Sequence, residues 1–196
     1  MSNKLHQFPP AVRVPHHGVR RWIKLVLLVA SFTVAPMLSA QSLEYRVKAG
    51  FIFNFAKFVE WPQTAGDDRE SVTIGVMAPI DIFEIISEEL SDRTLNGLPV
   101  KVVPFDSSSP PAPHPQLLFI NKAANELTPA ERKFLSNHHV LMIGESPDFA
   151  ARQGIIGFVP RGDSLRFQVN IAAAERAGLQ LSGQLARLAE IVRDSR

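Results

Sequence analysis

The sequence predicts an α/β domain: a single domain with a central mixed β-sheet and a C-terminal antiparallel hairpin, flanked by helices on both faces. Three observations predict it. Residues 45–62 (YRVKAGFIFNFAKFVEWP) place aromatic and aliphatic side chains on several helical faces, which suits a helix enclosed between layers. Short apolar, β-branched runs alternate with amphipathic helical stretches between residues 72 and 144. Near the C-terminus, two alternating runs flank Pro160-Arg161-Gly162-Asp163, the residues of a tight hairpin turn.

The bulk properties agree with one ordinary globular domain. A chain of 196 residues, 45% hydrophobic and 20% charged, has the length and apolar content for a substantial core, which excludes disordered and collagen-like classes. The net charge of +2 does not imply a nucleic-acid partner. Five of the 21 Lys and Arg residues fall in the first 40 positions, where there is no acid, leaving 16 basic against 19 acidic residues in the remainder. With no cysteine, the chain has no disulfide, no thiol catalysis, no redox switch and no cysteine zinc site.

Residues 1–40 have the form of a secretory signal. A basic stretch ends at Arg20-Arg21-Trp22-Ile23-Lys24, an apolar run follows from Leu25 to Val34, and Pro36, Ser39 and Ala40 lead to a cleavage point near Ala40. The apolar run is shorter than the ~20 residues a bilayer span needs, so export is expected rather than anchoring. The expected division is therefore a signal at 1–40 and one α/β domain at 41–196.

Within the aromatic helix, Phe51, Phe55 and Phe58 form one stripe and Ile52, Ala56 and Val59 another, interrupted by Lys48, Asn54 and Lys57. Glu44 and Lys48 are spaced for an exposed i,i+4 ion pair worth about 0.2–0.5 kcal/mol. Pro62 is expected to end the helix by disfavouring helical backbone at Trp61. Residues 63–71 are polar and read as a loop. Val72–Met77 predicts a buried strand, and a helix follows from about Asp81 to Leu90 with Ile82, Ile85, Ile86 and Leu90 inward. Asn96-Gly97 is a turn before the strand Pro99–Phe105, whose Pro104 marks a frayed end or an edge position.

The Ser107–Pro115 run predicts a stiff surface loop of polyproline character. Leu117–Asn121 is a short buried strand. Thr128, Pro129 and Glu131 supply the cap, first-turn proline and acidic first turn of a helix to about Ser136. His138-His139 precedes the strand Val140–Gly144. Adjacent strand residues point to opposite faces, so this pair gives no metal site. The hairpin strands are Ile155–Val159 and Ser164–Val169, and the hairpin is expected to form an antiparallel edge. Asn170 is placed to cap a helix over 171–177 that ends at Gly178. Ser182 is placed to cap a last helix in which Leu185, Leu188, Ala189 and Val192 face inward.

No strong catalytic spacing is present: there is no GxSxG, GxxxxGK or HExxH and no calcium-loop pattern, and neither a cofactor nor a metal is implied. The main concentration of polar side chains is Arg161, Asp163 and Arg166 at the hairpin. Two guanidinium groups there can receive an anion or a partner's carboxylate, or the turn can simply be solvated with a local ion pair.

YRVKAGFIFNFAKFVEWP near the start of the exported part and GIIGFVPRGDSLRFQVNIAAAERAGLQLS near its end resemble the YfiR family of periplasmic proteins. The resemblance extends through TIGVMAP and HVLMIGESPDFA, and its structural signature here is Phe51, Phe55, Phe58, Trp61, Pro62, Phe167 and Asn170. It implies a compact α/β domain that binds the periplasmic part of an inner-membrane diguanylate cyclase and holds it inactive, with release through an outer-membrane lipoprotein. Cyclic di-GMP and biofilm formation would be the output. It implies a non-enzymatic binding protein and leaves homodimerisation open. Two departures stand out: relatives carry disulfides that this chain lacks, and Gln168 stands where Glu is more usual. The alternative expectation is a periplasmic sensor or binding domain for a small anion, using Arg161 and Arg166.

Overall fold

Apolar runs with no polar alternate face require cover on both sides, and the computed structural model supplies it. The structure describes residues 35–62, 69–109, 114–124, 126–162 and 164–195. In chain order the elements are α1 (Ala35–Lys57), β1 (Val59–Glu60), β2 (Val72–Met77), α2 (Ile80–Leu90), β3 (Thr94–Leu95), β4 (Leu98–Pro104), β5 (Leu117–Ile120) and α3 (Pro129–Asn137). They continue as β6 (Leu141–Gly144), α4 (Phe149–Arg152), β7 (Ile156–Arg161), β8 (Ser164–Val169), α5 (Ile171–Arg176), β9 (Gln180–Leu181), α6 (Gly183–Leu188) and β10 (Glu190–Ile191).

Eight strands form one mixed sheet in the order β10-β8-β7-β6-β5-β2-β4-β3, and β1 and β9 form a small antiparallel sheet. From β4 across to β7 every neighbouring pair is parallel, whereas β7 and β8 are the antiparallel hairpin. The expected fold class is therefore the observed one. Alternation along the strands makes two cores. Leu117 and Phe119 of β5 and Leu141 and Ile143 of β6 face α1, α2, α5 and α6. Leu118, Ile120 and Met142 face the opposite side, where Leu135 of α3 and Phe149 of α4 cover them. Gly144 and Gly154 lie against the Phe149 ring so closely that a Cβ at either would overlap it.

Local chemistry sets several boundaries as expected. Thr128 and Glu131 close a reciprocal capping box on α3. The side chain of Asn170 accepts from Ala173 N, and that of Ser182 from Leu185 N. Asn96 and Gly97, with φ of 52° and 83°, form the two-residue turn that joins β3 to β4. β3 covers only the first residues of β4, so Pro104 sits on a nearly edge strand.

Three boundaries differ, one of them at β7, which runs through Pro160 and Arg161 and pairs Arg161 with Ser164 where a turn is expected. The helix α1 stops at Lys57, five residues before Pro62, because tertiary pairing captures the chain first. Val59 pairs with Leu181, Ser182 N donates to Phe58 O at 2.9 Å, and Trp61 Nε1 donates to His139 O at 3.0 Å. The last helix ends at Leu188, which is exposed rather than inward, and the chain then adds β10 in parallel beside β8. As a consequence, β10 rather than the hairpin forms that edge of the sheet.

The aromatic stripe of α1 docks onto the hairpin. The Phe55 ring, 2% exposed, lies 4.9 Å from Phe167 and 5.8 Å from Phe158, and Phe51 stands 6.1 Å from Phe158 in an edge-on arrangement. Phe55→Ala is expected to cost about 3–5 kcal/mol of unfolding free energy. Urea denaturation should show this as a lower midpoint with an unchanged slope.

Candidate functional site

The expected enclosure of α1 is incomplete: Leu43, Glu44, Arg46, Val47, Asn54 and Lys57 are exposed along one side, and only a charged residue on the other side is carried into the interior. Lys48 is such a residue, 3% exposed on the face of α1 that meets the sheet. The parallel register of β5 and β6, with Ile120 beside Gly144, delivers the next residues of both strands, Asn121 and Glu145, side by side at the strand C-termini. Those two side chains meet Lys48 and Tyr45, one turn apart on α1.

The contacts are mutual. Lys48 Nζ pairs with Glu145 Oε2, and both side chains are only 4% exposed. Lys48 also reaches Glu44 Oε1 at 2.5 Å and lies 4.5 Å from the centre of the Tyr45 ring. Tyr45 Oη donates to Glu145 Oε1 at 3.1 Å and accepts from Asn121 Nδ2 at 2.8 Å. Asn121 Nδ2 also donates to Glu145, and its Oδ1 accepts from Ala123 N at 2.8 Å in an Asx turn. Lys122 N adds a donor to Glu145 Oε1 at 3.3 Å. The Glu44–Lys48 spacing therefore does give a contact, but the lysine is buried rather than exposed, because a third partner on the sheet draws it inward.

The network lies at the topological switch of the sheet. From β2 the chain runs to β4 on one side and returns to β5 on the other, and Asn121 N donates to Met77 O at the end of β2. Ligands of open α/β sheets enter at such a crevice. Here Tyr45 and Lys48 fill it. Burial, and then the Glu145 carboxylate, push the Tyr45 phenol well above its ordinary range. A phenol held neutral serves as a hydrogen-bond donor and not as a general base, so the arrangement fastens α1 to the sheet.

Of the residues singled out at the hairpin, Arg161 and Arg166 are among those described. The register of β7 and β8 sets Val159 opposite Arg166 and Arg161 opposite Ser164, which puts both arginines on one face. Arg161 contacts Glu190 through Nη2 at 2.9 Å and Nε at 3.3 Å. That bond holds the Glu190 carboxyl below the usual range, with Gln168 and Arg166 acting in the same direction. Asp163 lies outside the described residues. Phe51, Phe55 and Phe167 converge in the aromatic cluster, while Phe58, Trp61 and Pro62 are half-buried around the β1–β9 pairing. Asn170 is 1% exposed and, besides capping α5, donates from Nδ2 to Ala150 O and to Asp194 Oδ1. His138 and His139 do not act together: their Nδ1 atoms donate to Phe134 O and Ala177 O respectively.

The buried network missed by motif reasoning had one sequence signal, a lysine that interrupts the apolar stripes of its helix. Removing one member strands a charge. Lys48→Met should cost about 3–5 kcal/mol, and the neutral pair Lys48→Met with Glu145→Gln should recover most of that loss in a double-mutant cycle. Tyr45 is the sole tyrosine, so phenolate absorbance reports on it alone. Its raised folded pKa means that its contribution to stability is complete below the unfolded value near ~10 and declines as pH rises from there. Phenolate absorbance should therefore appear together with alkaline unfolding, and not as a separate titration of the folded protein.

Among the described residues no helix is long and apolar enough to cross a membrane. A search of curated proteins returned no match. A family model described as YfiR/HmsC-like matches residues 45–190. The match begins at Tyr45 of the buried network and ends at Glu190, the partner of Arg161. On that match the chain belongs to the YfiR/HmsC-like family.

Proposed function

We propose that this protein is a periplasmic regulator that represses an inner-membrane diguanylate cyclase by binding its periplasmic domain, and so limits cyclic di-GMP and biofilm formation. The observation that carries this reading is the family match over residues 45–190, which supports a periplasmic regulator of diguanylate cyclase signalling at family level. Residues 1–40 direct export and are removed near Ala40, leaving residues 41–196 as the active protein. An outer-membrane lipoprotein relieves repression.

Repression works by stoichiometric binding and not by turnover. A partner that prefers the inactive cyclase arrangement shifts the population toward it, by no more than the difference in its two affinities. Such binding needs a rigid surface with apolar anchors and charged groups at the rim. Helix α1 provides one: Leu43 and Val47, 64% and 45% exposed, lie one turn apart, and Arg46 between them pairs with Glu88 of α2. The buried network beneath holds this helix in place.

Deleting the gene should raise cellular cyclic di-GMP, and the tagged protein should recover a membrane cyclase from envelope extract. Unchanged cyclic di-GMP together with no recovered cyclase would falsify the assignment. Val47→Asp, at an exposed position, should leave the thermal midpoint within a degree or two while weakening cyclase capture at least tenfold, the order of a lost interface anchor.

A further inference from the structure

Away from both the α1 network and the hairpin turn, a cleft of about 440 Å³ opens between α3, α4 and α5. Its charge is one-sided. Among the described residues, Arg132 and Lys133 of α3, Arg152 at the end of α4 and Arg176 at the end of α5 line it, against the one carboxylate of Asp194. The lining arises from ordinary helix chemistry, since Arg152 and Arg176 fall in the last turns of their helices, where cations complement the helix dipole.

The carboxylate in this cleft does not come from the elements that build it. Asp194 belongs to the tail that follows β10, and the tail is tied down beside it by Ser195 N donating to Ala151 O at 2.9 Å. Asp194 Oδ1 accepts from Asn170 Nδ2 at 2.8 Å and from Arg176 Nη2 at 2.9 Å, and Oδ2 lies 2.9 Å from Arg176 Nη1. This is a forked guanidinium contact completed by an amide that is almost wholly buried. The amide is fixed by its second bond to Ala150 O. Two donors of different kinds thus converge on one anionic group before any external ligand arrives, while Arg132, Lys133 and Arg152 add positive charge to the same cleft.

We propose that this cleft is a binding site for a small soluble polyanion bearing phosphate or carboxylate groups, and that Asp194 is its built-in competitor. An incoming oxyanion takes the position of the Asp194 carboxylate on Asn170 and Arg176, its remaining charge faces Arg152 and Arg132, and the tail is released. The site is separate from Arg161 and Arg166, and it goes beyond the regulatory reading, which neither requires nor excludes it.

Titration calorimetry of the full exported chain with inorganic pyrophosphate and with citrate, at constant ionic strength, tests this. Saturable 1:1 binding is expected. The Arg152→Ala/Arg176→Ala double variant should lose it, and Lys101→Ala, a charge removed from β4, should keep it. Asp194→Asn should bind about tenfold more tightly, the factor set by relief from one charge-assisted bond. This gain of affinity is a result that a damaged fold cannot imitate. Heats that do not saturate, equal binding by the double variant and Lys101→Ala, or no tightening in Asp194→Asn would each overturn the proposal. Loss of cyclase capture leaves these outcomes untouched, so the two readings fail separately.

Discussion

An ammonium group taken out of water must be matched by charge and hydrogen bonds, or the fold loses several kcal/mol. Lys48 imposes that requirement on this protein. Its match is assembled from three places: Glu44 one turn earlier on the same helix, Glu145 at the end of β6, and the Tyr45 ring beneath it. Asn121, at the end of β5, and Lys122 N then complete the acceptor capacity of Glu145. The helix can therefore sit in only one register on the sheet. Apolar burial supplies the stability, and a slide of α1 by one turn would leave a buried cation unpaired. A buried polar network that specifies position in this way is consistent with a regulator, whose partner must meet an unchanging surface.

The second fastening is aromatic. Phe51, Phe55, Phe158 and Phe167 hold the other end of the helix against the hairpin. Beyond them the chain leaves the helix to pair with β9, and the C-terminal segment returns to cover β8. Both termini of the matched region are thus built into one body, and this compensates for the lack of disulfides. With no cysteine in the chain, packing and the β1–β9 and β8–β10 pairings hold these segments.

What could be read in advance follows from how local each signal is. The capping box at Thr128, the caps at Asn170 and Ser182 and the turn at Asn96-Gly97 depend on residues within a few positions of each other, and the structure has them where the pattern places them, whereas the hairpin forms as expected but with Pro160 and Arg161 in its first strand rather than in its turn. The end of α1, the shortness of α6 and the existence of β10 depend on partners more than a hundred residues away, or on a neighbouring strand's open edge, and helical periodicity is blind to both. The buried site was legible only in part. Lys48 is visible as an anomaly in an apolar helix, but Glu145 sits 97 residues later, and nothing in its neighbourhood distinguishes it from a solvated loop carboxylate. Asn121 is similar: it becomes a donor to the network only because parallel pairing aligns the ends of β5 and β6.

The hairpin shows how a neighbouring strand can set the charge of a sheet edge. Gln168 is a neutral residue on β8, the strand that β10 covers. In the structure, parallel pairing sets Gln168 beside Glu190, and its amide works with Arg161 to hold that carboxylate ionised. A glutamate at 168 would put two carboxylates side by side on neighbouring strands, an arrangement that destabilises a sheet. The neutral amide at 168 and the acid at 190 are therefore best understood as one unit. The second unit member lies at the boundary of the matched region, on the short strand that covers β8. The polarity of this edge is set by the pair, so the charge presented at the hairpin depends on where β10 docks as much as on the hairpin's own residues.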